Sequence, residues 1–304
     1  MDNDEQLKPK VLFKYRDDSE RTEDIIKNQR IWLSSPYQLN DPLECRIGEI
    51  PKEWEVKTIR EMENGQLMGV IAGPPLFEVR KQLFSLSERE TKQWLKRFKI
   101  LTHDRKIKAM RKLYSEHGIK LSRPENIFKD MHKRLSKVGI FSLSETCSNE
   151  LMWAHYSANH QGVAFGFSMS DNCKLANPRH CLPVTYAREK PTFKTGFKSE
   201  VQIMAIGSDT PNVQRVSFED DVFRSTISTK TPAWEYEKEW RYVEESHGLF
   251  DFPGILTHVV FGMRMNEERK AHYKSLINKN ILTDMEYFEV VESEDLSGLT
   301  VRKV

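Results

Sequence analysis

Nine short apolar runs, at 11–16, 31–35, 138–144, 162–168, 182–187, 238–244, 256–262, 284–290 and 298–302, read as strands, and few long helical segments lie between them. A doubly wound parallel fold needs a helix after nearly every strand. This spacing therefore points to an α+β protein with a mixed, mostly antiparallel sheet core. Local stops agree: VLFKYR (11–16) ends in charge, and IWLSSP (31–36) halts at Pro36. One segment breaks the rhythm. From about 50 to 137, Lys, Arg and Glu are dense and apolar residues recur at helical spacing, as in Ile107, Met110, Leu113 and Tyr114. We read residues 1–304 as a single α+β domain with a charged helical insertion at 50–137, whose charged faces are solvated or offer an interaction surface.

The 47 basic and 45 acidic residues leave a net charge of +2, which gives no general pull toward nucleic acid or a membrane. Four cysteines without a C-x-x-C pair argue against a zinc knuckle or a disulfide framework. The opening MDNDEQLKPK has no apolar run after its charges, and no window is apolar enough to cross a bilayer. The expectation is a cytoplasmic protein without a membrane partner. No G-x-G-x-x-G or G-K-[ST] loop offers a phosphate cradle.

The densest chemistry lies in TPAWEYEKEWRYVEE (231–245). Read as an extended strand, it lines Glu235, Glu237, Glu239 and Arg241 on one side and Trp234, Tyr236, Trp240 and Tyr242 on the other. Burying the aromatic side leaves either a solvated charged face or the acidic wall of a cleft. In a cleft, Arg241 would hold one carboxylate by a charge-assisted pair. The other carboxylate, of Glu237 and Glu239, would polarise a hydroxyl or stabilise positive charge on a sugar carbon.

Other stretches supply partners. Lys14, Tyr15 and Arg16, at the mouth of the first strand, suit a phosphate or carboxylate, or are merely a charged strand end. In LNDPLEC (39–45), Asn40 or Asp41 bonds its own backbone in a turn, or presents an acid at the sheet edge. FSLSE puts Ser142 and Ser144 on one strand face, where two hydroxyls could orient a ribose or a glutamate. In ELMWAHYSANHQG, Ser148 is the expected N-cap and Gly162 the helix end. His155 and His160, five apart, lie about 140° from each other on a helix, unlike a metal pair. His155 is read as a core histidine, or else as facing substrate.

Taken together, LFKYR, SSPYQLNDPLEC, GIFSLSE, MWAHYSANHQGVAFGF, VTY and WEYEKEWR resemble the bacterial family catalogued as domain of unknown function 2971. A more distant likeness is to mono-ADP-ribosyltransferases, which carry a strand with a basic residue, then a Ser-x-Ser strand, then a Glu-x-Glu strand. FKYR, FSLSE and EKE follow that order. The likeness implies that Arg16 or Lys14 grips the dinucleotide of NAD and that Ser142 and Ser144 support the nicotinamide pocket. It also implies that Glu239 is catalytic with Glu237 as its partner, and that no metal is required. Trp153 and Tyr156 would stack on a base.

The leading expectation is thus a nucleotide-processing transferase acting with NAD on a protein or nucleic-acid acceptor, in bacterial stress or phage defence. One alternative is a ligand- or partner-binding module without chemistry. Another is a metal-dependent nuclease using Asp41, Glu237 and Glu239.

Overall fold

The computed structural model describes residues 10–76, 82–170, 172–194, 196–202 and 213–304. Residues 1–9, which bear on the reading of the chain's opening, lie outside the described residues. The chain divides into two compact units. One is Met1–Arg46 with Arg134–Pro191 and Ser225–Val304; the other is Ile47–Lys133 with Thr192–Arg224.

The first unit is built on an eight-stranded sheet. Its strands are β1 (Val11–Arg16), β2 (Gly139–Ser144), β3 (Val163–Ser168), β4 (Cys181–Pro183), β5 (Glu239–Glu244), β6 (Ile255–Phe261), β7 (Glu286–Glu292) and β8 (Leu299–Lys303). They lie in the order β8-β7-β6-β3-β1-β2-β5-β4, antiparallel throughout except for β6 beside β7. The fold is α+β. Strand alternation sends Leu12, Phe141, Leu143, Phe165, Phe167, Trp240 and Tyr242 into the larger core, with Ile26 and with Tyr273 and Ile277 of the helix Glu267–Asn280. A smaller core gathers Tyr15, Met152, Trp153, Ala164 and Val260. Asn266 begins the Glu267–Asn280 helix by accepting from Arg269 N, the expected capping chemistry.

The sheet is not uniformly zipped. Strand β1 pairs with β3 along six residues, Val11↔Ser168 to Arg16↔Val163, but meets β2 only at Phe13↔Ser144. At the other end of β2, Ser34 and Ile140 exchange backbone hydrogen bonds of 2.8 and 2.9 Å. Ser34 follows the strand Arg30–Leu33, which pairs with Gly248–Asp251. One edge of β2 is therefore shared by two partners with a gap between them. The Ser142 carbonyl in that gap accepts instead from Lys14 Nζ, at 2.9 Å.

Several local expectations are corrected. The stretch 234–243 is not one strand. Pro232, at the first position of a 3-10 helix, has the φ that helix needs, and Pro232–Glu237 coil; Lys238 then turns left-handed (φ 42°), and the strand begins at Glu239. The helix after β2 spans Glu150–Tyr156, with Asn149 rather than Ser148 as its cap, and stops well before Gly162. Ala158, Asn159 and His160 all adopt positive φ, so the chain reverses there without glycine. LPVTYA divides at Pro183, and Thr185–Tyr186 pairs in parallel with Thr229–Lys230.

The second unit holds the helices Lys52–Leu76, Glu88–Lys99 and His103–Glu116, together with residues 192–224. Ser87 and Glu90 form a reciprocal capping box on the second of these helices. Leu67, Val70, Phe98, Ile107 and Met110 make its helical core, and Trp54 stacks on Phe193 at 5.2 Å. Its strand pair, Ser199–Gln202 with Val213–Val216, was not anticipated from periodicity. Among the described residues, no helix is long and apolar enough to cross a membrane.

Gly162 fixes where β1 ends. A Cβ there would lie 2.0 Å from the Arg16 carbonyl oxygen, backbone against side chain with nothing free to yield. Gly162→Ala is expected to cost about 1–3 kcal/mol. Urea unfolding should show a lower midpoint at unchanged slope; an unmoved midpoint would contradict the close approach.

Candidate active site

The gap between β1 and β2 opens into a cleft of about 1350 Å³. Its lining draws Lys14 and Arg16 from β1, Ser142 from β2, Glu239 and Arg241 from β5, and Glu237 from the turn before β5. His155, Tyr156, Asn40, Glu44, Lys230 and Arg21 are also on its polar lining.

Its floor is a buried ion network. Arg241, wholly enclosed, sends Nε to Glu239 Oε1 (2.8 Å) and Nη2 to Glu239 Oε2 (3.1 Å), a two-pronged grip. The same Nη2 also meets Glu44, and Nη1 donates to the Ile227 carbonyl at 2.5 Å. Lys230 Nζ lies 2.6 Å from Glu237 Oε2, 3.1 Å from Glu239 Oε2 and 3.3 Å from Glu44 Oε1. Its ammonium also sits 4.7 Å from the centre of the Trp234 ring. Tyr156 OH donates to Glu237 Oε1 at 2.6 Å, and Asn40 hydrogen-bonds Tyr156. Tyr186 OH accepts from Glu239 N at 2.8 Å.

Two cations thus face three carboxylates, and the two acids of the E-x-E pair part ways. Burial opposes the charge of Glu239, but Arg241 and Lys230, with a hydrogen bond from Ser142, hold its carboxyl down at about 2. For Glu237, burial outweighs Lys230 and Tyr156, and the carboxyl is raised above its ordinary value. Glu239 is a locked anion. Glu237, with one donor on each oxygen, is the carboxyl able to change its proton. Lys14 is pushed down to about 8 by burial and then by Arg16. Burial also opposes the Lys230 charge, but Glu239, Glu44 and Glu237 overcome it and raise this lysine.

The structure gathers Lys14, Arg16, Asn40, Ser142, His155, Tyr156, Glu237, Glu239 and Arg241 at this cleft, and Tyr15 lies along its wall. Three sequence-level candidates stand back from it. Asp41 accepts from Leu43 N (2.8 Å) and Trp234 Nε1 (3.1 Å), and so braces its turn and the indole. Ser144 donates to the Glu237 carbonyl at 2.7 Å and holds the 3-10 turn. Trp153 is core: its ring meets Tyr15 edge-on at 5.0 Å, its N–H donates to Cys147 O, and it presents no face to a base. His155, by contrast, is exposed rather than buried. Sequence reasoning missed Lys230, Glu44 and Tyr186. Lys230 stands seven residues before Glu237, and a basic residue ahead of an acid pair was the available signal. Glu44, within LNDPLEC, carried none.

Among the described residues, no group of three His, Cys, Asp or Glu is arranged to hold a metal ion. The Lys230 ammonium occupies the space between Glu44, Glu237 and Glu239.

Residues 152–242 match the model of the family described as Protein of unknown function (DUF2971), in accord with the resemblance carried by MWAHYSANHQGVAFGF, VTY and WEYEKEWR. No curated protein and no solved structure matches the chain.

Because Glu239 titrates far below its unfolded value, its contribution is complete above the ordinary carboxylate range and is lost as pH falls toward 2. Glu239→Gln leaves Arg241 and Lys230 short of a buried counter-charge, a loss of about 3–5 kcal/mol. Urea unfolding of wild type and variant should differ widely at pH 7, and the gap should narrow steadily as pH falls from about 4.5 toward 2. A gap unchanged across that range would refute the locked anion.

Proposed function

We propose that this cleft is the active site of a nucleotide-processing enzyme, a transferase resembling mono-ADP-ribosyltransferases that uses NAD as substrate. One observation carries the reading. The basic strand, the Ser-x-Ser strand and the strand bearing the second acid of Glu-x-Glu are three consecutive neighbours in the sheet, β1-β2-β5, and Arg16, Ser142 and Glu239 open on the same cleft. Tokens scattered over more than 200 residues of sequence have no reason to meet unless the fold uses them together.

The roles shift from those the likeness implied. A carboxylate clamped by Arg241 and Lys230 has little field left to offer a developing cation. The free role falls to Glu237, whose carboxyl faces the cleft with Tyr156 as its only neutral donor. In the proposed step the bond between ribose C1′ and the nicotinamide nitrogen breaks, and its electron pair leaves on nicotinamide. The Glu237 carboxylate stabilises the oxocarbenium-like sugar and takes the proton of the acceptor hydroxyl as the new C1′–O bond forms. Lys14 and Arg16 meet the pyrophosphate, Arg16 making no ion pair among the described residues. Glu239, Arg241 and Lys230 hold Glu237 in place. A binding module without chemistry finds support in the saturation of Glu239, and it is separated by the same experiment.

Wild-type protein incubated with NAD is expected to release nicotinamide, measured chromatographically. Glu237→Gln should lower that rate at least about 100-fold, in the range of a general acid–base group, in protein that circular dichroism shows to be still folded at the assay temperature. Release at the wild-type rate would overturn the assignment, and no release by wild type would favour the binding module. Affinity for ADP-ribose, followed by calorimetry from pH 6.5 to 9.5, should fall as pH passes about 8 and Lys14 sheds its proton. A flat profile would remove Lys14 from the anion site.

A further inference from the structure

The strand Arg30–Leu33 alternates sharply: Ile31 and Leu33 are fully buried, while Arg30 and Trp32 face outward. Trp32 stays 50% exposed, and Leu249, its direct cross-strand neighbour, 56% exposed. A single exposed apolar residue needs no explanation. These two differ because they are adjacent and both line the cleft described above. Their contact with each other leaves half of the indole open, so ribbon pairing does not account for it.

The fold places this pair with respect to the gap in the sheet. Ser34 is tied to Ile140 by two backbone bonds. Two residues along from those partners stand Trp32 on one strand and Ser142 on the other. Ser142 is the residue whose carbonyl receives Lys14 and whose hydroxyl reaches Glu239. The apolar pair is thereby fastened to the strand that carries the polar site. Arg21 and Arg16, on the same lining, stand without a carboxylate partner among the described residues. An aromatic face beside unpaired guanidinium groups fits a ligand that is flat and apolar at one end and polyanionic next to it. A nucleotide has that shape and charge.

We infer that Trp32, backed by Leu249, is the platform on which the nucleobase of the substrate stacks, while Lys14, Arg16 and Arg21 hold the adjoining phosphates. This rests on the nucleotide reading of the cleft and adds to it the end at which the base lies. It also assigns the stacking role to Trp32 in place of the buried Trp153. Stacking of this kind tolerates different bases, since each has a π face. Trp32 is a binding residue and takes no part in bond breaking.

The test is calorimetric titration of the full chain with two probes, ADP-ribose and ribose 5-phosphate. Trp32→Ala should weaken ADP-ribose by about 5–150-fold and leave ribose 5-phosphate unchanged. Trp32→Phe, which keeps a ring, should retain most of the ADP-ribose affinity. Because Trp32 is half-exposed, both variants should melt close to wild type. An ADP-ribose affinity that survives Trp32→Ala would overturn the platform and leave the nucleotide reading intact. Equal weakening of both probes would also overturn it, since the substitution would then act through the ribbon and Ser34. Failure of wild type to bind either probe would overturn the nucleotide reading itself, and the platform with it.

Discussion

A guanidinium with no contact with water must find its counter-charge inside the protein, and everything at this site follows from how Arg241 does so. It takes both oxygens of Glu239, two residues away on the same strand, then Glu44 and the Ile227 carbonyl from distant parts of the chain. Removing two charges from water is costly, and only dense pairing repays it. The consequence is positional. The turn around Asp41–Cys45, the end of the helix Asp221–Ser228 and the strand β5 are pinned to one point. With Glu239 consumed in that way, Lys230 is left to divide itself among three carboxylates. Glu237, the least compensated, inherits the adjustable proton.

The cleft itself comes from an incomplete sheet. Strand β2 has β1 at one end of its edge and the Ser34 segment at the other, and no single partner covers its middle. An unpaired carbonyl in that position would be a liability. Lys14 answers it with an ammonium, and its partly buried charge also gives the gap a positive floor. A device that satisfies backbone chemistry thus doubles as an anion-facing group. Burial beside Arg16 moves its proton affinity toward neutrality.

Much of the scaffold was legible because strands announce themselves by short apolar runs. Val163–Ser168, Ile255–Phe261 and Glu286–Glu292 fall within two residues of where those runs place them. Failures came where the alternation was genuine but the backbone did not follow it. From Trp234 to Tyr242 every second residue but Lys238 is aromatic, a strand-like pattern, yet Pro232 starts a 3-10 turn and Lys238 itself adopts a left-handed conformation. Glu237 reaches the cleft all the same, by a coil rather than a pleat. Of the two readings of His155, the one that turns it outward agrees with its place on the cleft lining, since its neighbour Trp153 takes the buried side of the helix. Glu44 carried no periodic or motif signal and Lys230 only its place ahead of the acid pair, both being chosen by charge balance between segments that sequence spacing does not bring together.

By itself the sequence determined the α+β class, the order of the basic, Ser-x-Ser and Glu-x-Glu strands, and the likeness to a family that residues 152–242 bear out. These are local or linear properties, written in apolar spacing and short motifs. Only the tertiary structure decided that β1, β2 and β5 are neighbours, that Arg241 spends itself on Glu239, and that Trp32 rather than Trp153 faces the opening. The reason is that charge compensation and burial depend on distances through space. Lys230 and Glu44 are 186 positions apart along the chain and 3.3 Å apart in the fold.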